Sequence, residues 1–172
     1  MCEPSESPSE RTTSHGDRVL VAGVGNIFNG DDGFGSAVIG ELLAGPVPDG
    51  ARVVDYGIRG VHLAFDLAEG VQTLILVDTV PDAGGGPGSV AVIEVPEGAF
   101  GSGAFDAHDL DPNAVFRSLG TLGDDVPRTL VVGCQPVTME DGIGLSEPVS
   151  AAVPVAAEKV RQLVRHELEE HR

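Results

Sequence analysis

Val19-Leu-Val-Ala-Gly-Val-Gly-Asn-Ile-Phe-Asn-Gly-Asp-Asp-Gly-Phe-Gly35 runs from an apolar stretch into a glycine-rich turn and then into a helical pattern. Strand, glycine-rich turn and helix together present backbone N–H groups to a ligand, the layout used to cradle phosphates. The dinucleotide form of that turn needs a third glycine at position 28, where Phe28 stands. The phosphate-loop form needs a Gly-Lys-Ser/Thr, which does not follow. In place of a lysine the turn carries Asp31 and Asp32. Adjacent carboxylates repel a phosphate and attract a cation, so this turn suits a positive ligand.

Outward from it, apolar runs alternate with helical patterns. Arg18–Val24 reads as a strand, and Asp32–Leu43 as a helix closed by Gly45-Pro46. Ala51–Asp55 is a second strand. Gly60–Glu69 is a short helix whose Val61, Phe65 and Ala68 share one face, stopping at Gly70. Thr73–Val77, almost wholly β-branched or leucine, has the composition of a buried central strand. A Gly/Pro loop over 81–88 leads to a fourth strand, Ser89–Val95. Residues 98–107 are small and irregular, and Asp109 or Asp111 is expected to cap a helix over 111–120. Thr129–Cys134 is a fifth strand. The closing helix carries Val149, Val153, Ala156, Val160, Leu163 and Val164, with Pro154 implying a start near Ser150 or a kink.

This β-α-β-α-β order implies the α/β class: a mostly parallel, five-stranded twisted sheet with helices on both faces. Strand four follows strand three without a helical crossover, so an antiparallel or edge position is open to it. Residues 1–17, rich in Ser, Glu and Pro, read as a disordered N-terminal tail, and 18–172 as one domain.

Ten basic against 27 acidic residues give a net charge of 10 − 27 = −17. That charge argues against nucleic acid and anionic membrane surfaces as partners. No apolar run approaches the ~20 residues of a membrane helix. Two cysteines, Cys2 and Cys134, form no disulfide framework, so a cytoplasmic setting is expected. Cys134, with no evident base nearby, reads as core.

Ligands of open parallel sheets bind beyond the carboxyl ends of the strands. Asp31-Asp32 follow strand one, Asp55 ends strand two and Asp78 ends strand three. Three acids from three elements therefore point at one rim. His108, in the loop before 111–120, adds an imidazole, and carboxylates with imidazole form a ligand set for nickel, zinc or iron. Each also has a plainer reading. Asp31 or Asp32 could cap the helix that follows, Asp55 and Asp78 could close turns on their own backbone, and His108 could be solvated. Other motifs are weaker. His166 and His171 are five apart, about 140° round a helix, and cannot form an i, i+4 zinc pair. Gly144-Leu-Ser-Glu-Pro148 lacks the last glycine of a nucleophile elbow, so Ser146 reads as an N-cap.

Gly23-Val-Gly-Asn-Ile-Phe-Asn-Gly-Asp-Asp-Gly-Phe-Gly35 resembles the Gly-x-Gly-Asn and Asp-Asp/Glu-Gly-x-Gly turn of the maturation endopeptidases of nickel-iron hydrogenases. Asp55-Tyr-Gly-Ile-Arg-Gly60, Leu76-Val-Asp-Thr-Val80, Ala107-His-Asp-Leu110 and Gly142-Ile-Gly-Leu-Ser-Glu-Pro148 are similar to that family's other motifs, in the same order. The resemblance spans Arg18 to about Leu163. It departs at Ile58 and Arg59, where small residues are usual in the family.

The resemblance implies a three-layer α/β/α fold and a metal-binding trio, which falls on Asp32, Asp78 and His108. Asp55 matches a further acid near the site, and Asp32 and Asp55 are the candidate catalytic carboxylates. The implied reaction is a single cut near the C-terminus of the precursor of a nickel-iron hydrogenase large subunit, made once nickel is inserted. Nickel then belongs to the substrate and is not held tightly by the enzyme. Either an aspartate activates water, or nickel polarises the scissile carbonyl. Two other readings stand beside this one, a metallohydrolase with its own ion and a non-catalytic nickel-sensing chaperone. A nucleotide-binding protein is disfavoured by Phe28 and the paired acids.

Overall fold

The structure, a computed structural model, describes residues 16–96 and 126–172. Five strands form one sheet: β1 (Val19–Val24), β2 (Ala51–Gly57), β3 (Thr73–Thr79), β4 (Val90–Val95) and β5 (Arg128–Cys134). Their order across the sheet is β2-β1-β3-β5-β4. All neighbours are parallel except β4, which runs antiparallel to β5 at the edge. With no helix between β3 and β4 among the described elements, the chain reverses through a glycine-rich loop, as that missing crossover implied.

A short 3-10 turn (Gly30–Gly33) and three α-helices complete the described elements: α1 (Phe34–Leu43), α2 (Gly60–Leu67) and α3 (Glu147–Glu170). α1 and α3 cover one face of the sheet, packing on Val19, Val21, Ile75, Val77 and Val132. α2 covers the other, where Leu63 and Leu67 meet Leu20, Leu74 and Leu76. Strand residues thus feed the two layers alternately. β1 and β3 are buried along their whole length, as befits central strands of a three-layer fold.

Two glycines let α1 sit almost on the sheet. A β-carbon on Gly23 would collide with Ile39 and lie 2.8 Å from the Gly35 carbonyl oxygen. One on Gly35 would collide with the Val24 carbonyl oxygen and lie 2.6 Å from that of Val77. Helix backbone touches strand backbone here, which fixes the intervening turn over the sheet's rim.

The class, the five strands and the antiparallel edge position of β4 agree with the sequence reading, and several local expectations change. Residues 30–33 form a 3-10 turn, so α1 begins at Phe34 and not at Asp32. β2 continues to Gly57. The shared face of Val61 and Phe65 is turned to solvent, and the inward face of α2 is Gly60, Leu63 and Leu67. α3 starts at Glu147, with Pro148 in its first turn, and runs on through Pro154 on its exposed side. The expected helix over 111–120 and most of the N-terminal tail lie outside the described residues.

The end of α3 is pinned to the opposite, N-terminal edge of the sheet. Glu167, 2% exposed, accepts the Thr73 hydroxyl at 3.0 Å and pairs with Arg128 at 3.5 Å. Arg18 donates to the His171 carbonyl at 3.1 Å. No helix among the described residues is long and apolar enough to cross a membrane.

Candidate functional site

Asp32, Asp55 and Asp78 all stand at the C-terminal ends of the three adjacent strands β2, β1 and β3 or in the turn that leaves them. Gly23 of β1 is level with Asp55 on one side and Val77 on the other. Asp78 therefore stands one residue further along than Asp55. With β1 between them, their backbones are about 10 Å apart.

Asp55 is exposed at the cleft side of β2. Its Oδ1 accepts the Ser36 hydroxyl at 2.9 Å and the Gly57 N–H at 3.0 Å. Ser36 lies in the first turn of α1, so helix and strand together orient this carboxylate. The Gly57 bond is the self-closing turn contact expected of an aspartate at a strand end. It leaves the side chain on the α1 side of the sheet.

Asp78 is the next residue after Val77, whose side chain lies among those under α1 and α3. Alternation therefore sends Asp78 towards the α2 side, in line with Leu76 and Val80. It is 3% exposed, and its Oδ1 accepts the Thr79 N–H at 2.7 Å. Asp55 and Asp78 thus bracket the end of β1 from opposite faces of the sheet.

Asp32 sits over β1 itself. Its Oδ2 accepts the Asn26 N–H at 2.8 Å. A β-carbon on Gly25 would collide with the Asp32 carbonyl oxygen and lie 3.2 Å from its Oδ1, and Gly25 has φ +127°. Only glycine leaves room there for the aspartate. Gly25, Asn26, Ser36, Asp55 and Arg59 line a cleft of about 420 Å³, walled also by Ile27, Phe28 and Ile58.

Neither Asp31 nor Asp32 caps α1, contrary to expectation. The N-cap position is Gly33 and makes no side-chain cap bond. Asp31 points the other way and is fully buried. Its Oδ2 accepts the N–H groups of Val137 at 2.8 Å and Thr138 at 3.1 Å and the Ser146 hydroxyl at 2.8 Å. Its Oδ1 accepts the Ser146 N–H at 2.7 Å. Burial alone would raise its pKa; the bonds from Ser146, Thr138 and Val137 outweigh it and hold the carboxyl below its ordinary value.

Ser146 does occupy the N-cap position of α3, yet its hydroxyl goes to Asp31 and makes no cap bond. The loop between β5 and α3 is also stitched by backbone to the first turn: Gly30 N–H to Gly142 O at 2.8 Å, Gly142 N–H to Phe28 O at 2.8 Å, and Asp31 N–H to Thr138 O at 3.1 Å. The Gly142–Pro148 motif is thereby part of the site's scaffold. Sequence reasoning missed Asp31 and Ser36 in these roles. The available signal was their closeness to the turn, which says nothing about direction.

Cys134 is wholly buried at the end of β5, as expected of a core residue. Burial, reinforced by the Asp31 charge, pushes its thiol up to about 11. His108 lies outside the described residues. Among those described, no group of three or more His, Cys, Asp or Glu forms a metal-holding cluster.

The family model described as hydrogenase maturation protease, HycI, matches residues 38–163. A Methanocaldococcus jannaschii protein assigned to hydrogenase maturation proteases is 36% identical over 145 residues, covering 81% of this chain and 92% of its own. Hydrogenase 2 maturation protease of Escherichia coli strain K12 is 30% identical over 152 residues, covering 86% of this chain and 91% of its own. The solved structure of the E. coli hydrogenase maturating endopeptidase HybD matches with a TM-score of 0.70 at 28% identity, covering 87% of this chain and 93% of that one.

Proposed function

Because the chain belongs to the hydrogenase maturation protease family, we propose that it removes the C-terminal peptide from the nickel-loaded precursor of a nickel-iron hydrogenase large subunit. Nickel in this reading arrives with the substrate and serves as the recognition element. Asp32 and Asp78, with His108, are the groups that reach it. Oxygen and imidazole donors suit a borderline divalent ion and, in an open set, release it readily.

The observation that carries the reading is the placement of Asp55 and Asp32. Asp55 is an exposed carboxylate facing a cleft, oriented by Ser36 and Gly57. Asp32 is seated against Gly25 and Asn26, which line that same cleft. A carboxylate here takes a proton from water as the water oxygen attacks the scissile carbonyl carbon. The proton passes to the amide nitrogen, the C–N bond breaks, and an acid and an amine leave. Substrate-borne nickel polarises that carbonyl, which leaves the aspartate to orient the water and carry its proton. The acidic surface, −17 overall, attracts the cation and any basic residue beside the cut.

Incubation with nickel-loaded precursor, followed by mass spectrometry, tests the proposal. Loss of the C-terminal peptide supports it; binding without cleavage favours the chaperone. Stoichiometric metal in protein purified without added nickel favours a metallohydrolase with its own ion.

A further inference from the structure

α2 is apolar on two sides. Gly60, Leu63 and Leu67 supply its buried side. Val61 and Phe65, at i and i+4, lie on another side and are 59% and 69% exposed, and Ile58, two residues before the helix begins, is 73% exposed. Isolated exposed apolar residues are ordinary, but Val61 and Phe65 are neighbours on one helix face, and with Ile58 at the entry to the helix they make an apolar stripe. Its end nearest the sheet is Ile58, which also walls the Asp55 cleft together with Ile27 and Phe28, themselves 47% and 60% exposed. The stripe and the cleft are therefore one continuous surface, with Arg59 where they join.

We propose that this stripe docks the folded body of the large-subunit precursor while the segment to be cut lies in the cleft. The inference rests on the reading of the chain as a precursor-processing enzyme. A cleft of about 420 Å³ holds a few residues of chain. Specific recognition of a folded protein buries about 800 Å² on each partner, so contact must extend past the cleft, and the stripe is the apolar surface continuous with it. The partner patch is apolar and carries an acidic group to meet Arg59, the cation at that junction.

The test is calorimetric binding of nickel-loaded precursor, with cleavage followed in parallel. The variants are Val61→Ser, Phe65→Ser and the triple Ile58→Ser/Val61→Ser/Phe65→Ser, with Val155→Ser, 52% exposed on α3, as control. All four sites face solvent, so melting curves should match the wild type. Phe65→Ser should weaken binding about tenfold and the triple about a hundredfold or more, with KM rising more than kcat falls; Val155→Ser should change neither. Wild-type affinity in the triple, or equal weakening by Val155→Ser, overturns the docking assignment. So does failure of the wild type to bind precursor, or a self-association that Phe65→Ser dissolves while precursor binding is untouched. Tight, stripe-dependent binding without cleavage keeps the docking surface and discards the endopeptidase reading.

Discussion

Asp31 and Ser146, 115 residues apart, are joined twice: the carboxylate accepts both the backbone N–H, at 2.7 Å, and the hydroxyl, at 2.8 Å, of the serine. This joint ties the turn after β1 to the loop before α3. Asp32, the neighbouring residue, can hold its place over Gly25 because Asp31 is anchored. Asp31→Ala strands three N–H groups and a hydroxyl, and should cost roughly 2–4 kcal/mol of stability. Chemical denaturation measures it, and a loss below about 0.5 kcal/mol would show the joint to be dispensable.

The same carboxylate sets an acid limb. Its folded pKa lies below that of an ordinary aspartate. Its stabilisation is therefore fully present above the unfolded pKa and is lost as pH falls through the lower, folded value. Stability measured from pH 5 downward should fall less steeply in Asp31→Asn than in the wild type. Parallel curves would contradict that assignment.

Asp32→Asn should abolish precursor processing, by about a hundredfold or more in kcat/KM, with smaller losses for Asp78→Asn and His108→Ala. All three should keep the wild-type circular dichroism spectrum. Ser36→Ala, which removes one of the two bonds holding Asp55, should cost about tenfold. Normal cleavage by all of the first three would remove the site assignment.

Gly25→Ala places a methyl group against the Asp32 carbonyl at a backbone angle that L-residues avoid. The turn must move, so processing should fall even where the protein still folds. Gly70, also at positive φ but with open space around it, is the control. Gly70→Ala should cost about 1 kcal/mol of stability and no activity.

Cys134 should resist alkylation in the native protein at pH 8, being wholly buried and, with its pKa at about 11, almost entirely protonated. Peptide mapping should find it modified only after denaturant is added. Rapid native labelling would mean that the end of β5 opens to solvent.

Local pattern sufficed for the five strands, the helices after strands one and two and at the chain's end, the parallel core of the sheet, and the three acids at strand exits. These follow from local periodicity and from the rule that parallel strands aim their carboxyl ends at one rim. It also carried the family, through the glycine–aspartate turn. Tertiary structure alone decided which of the twin aspartates turns inward and which apolar row of α2 meets the sheet. It likewise set Asp55 and Asp78 on opposite faces of the sheet. Periodicity marks residues that share a side, but which side is buried depends on what packs there. Asp31 faces inward because a loop more than 100 residues away supplies its four hydrogen-bond donors, and no pattern confined to the turn contains that loop.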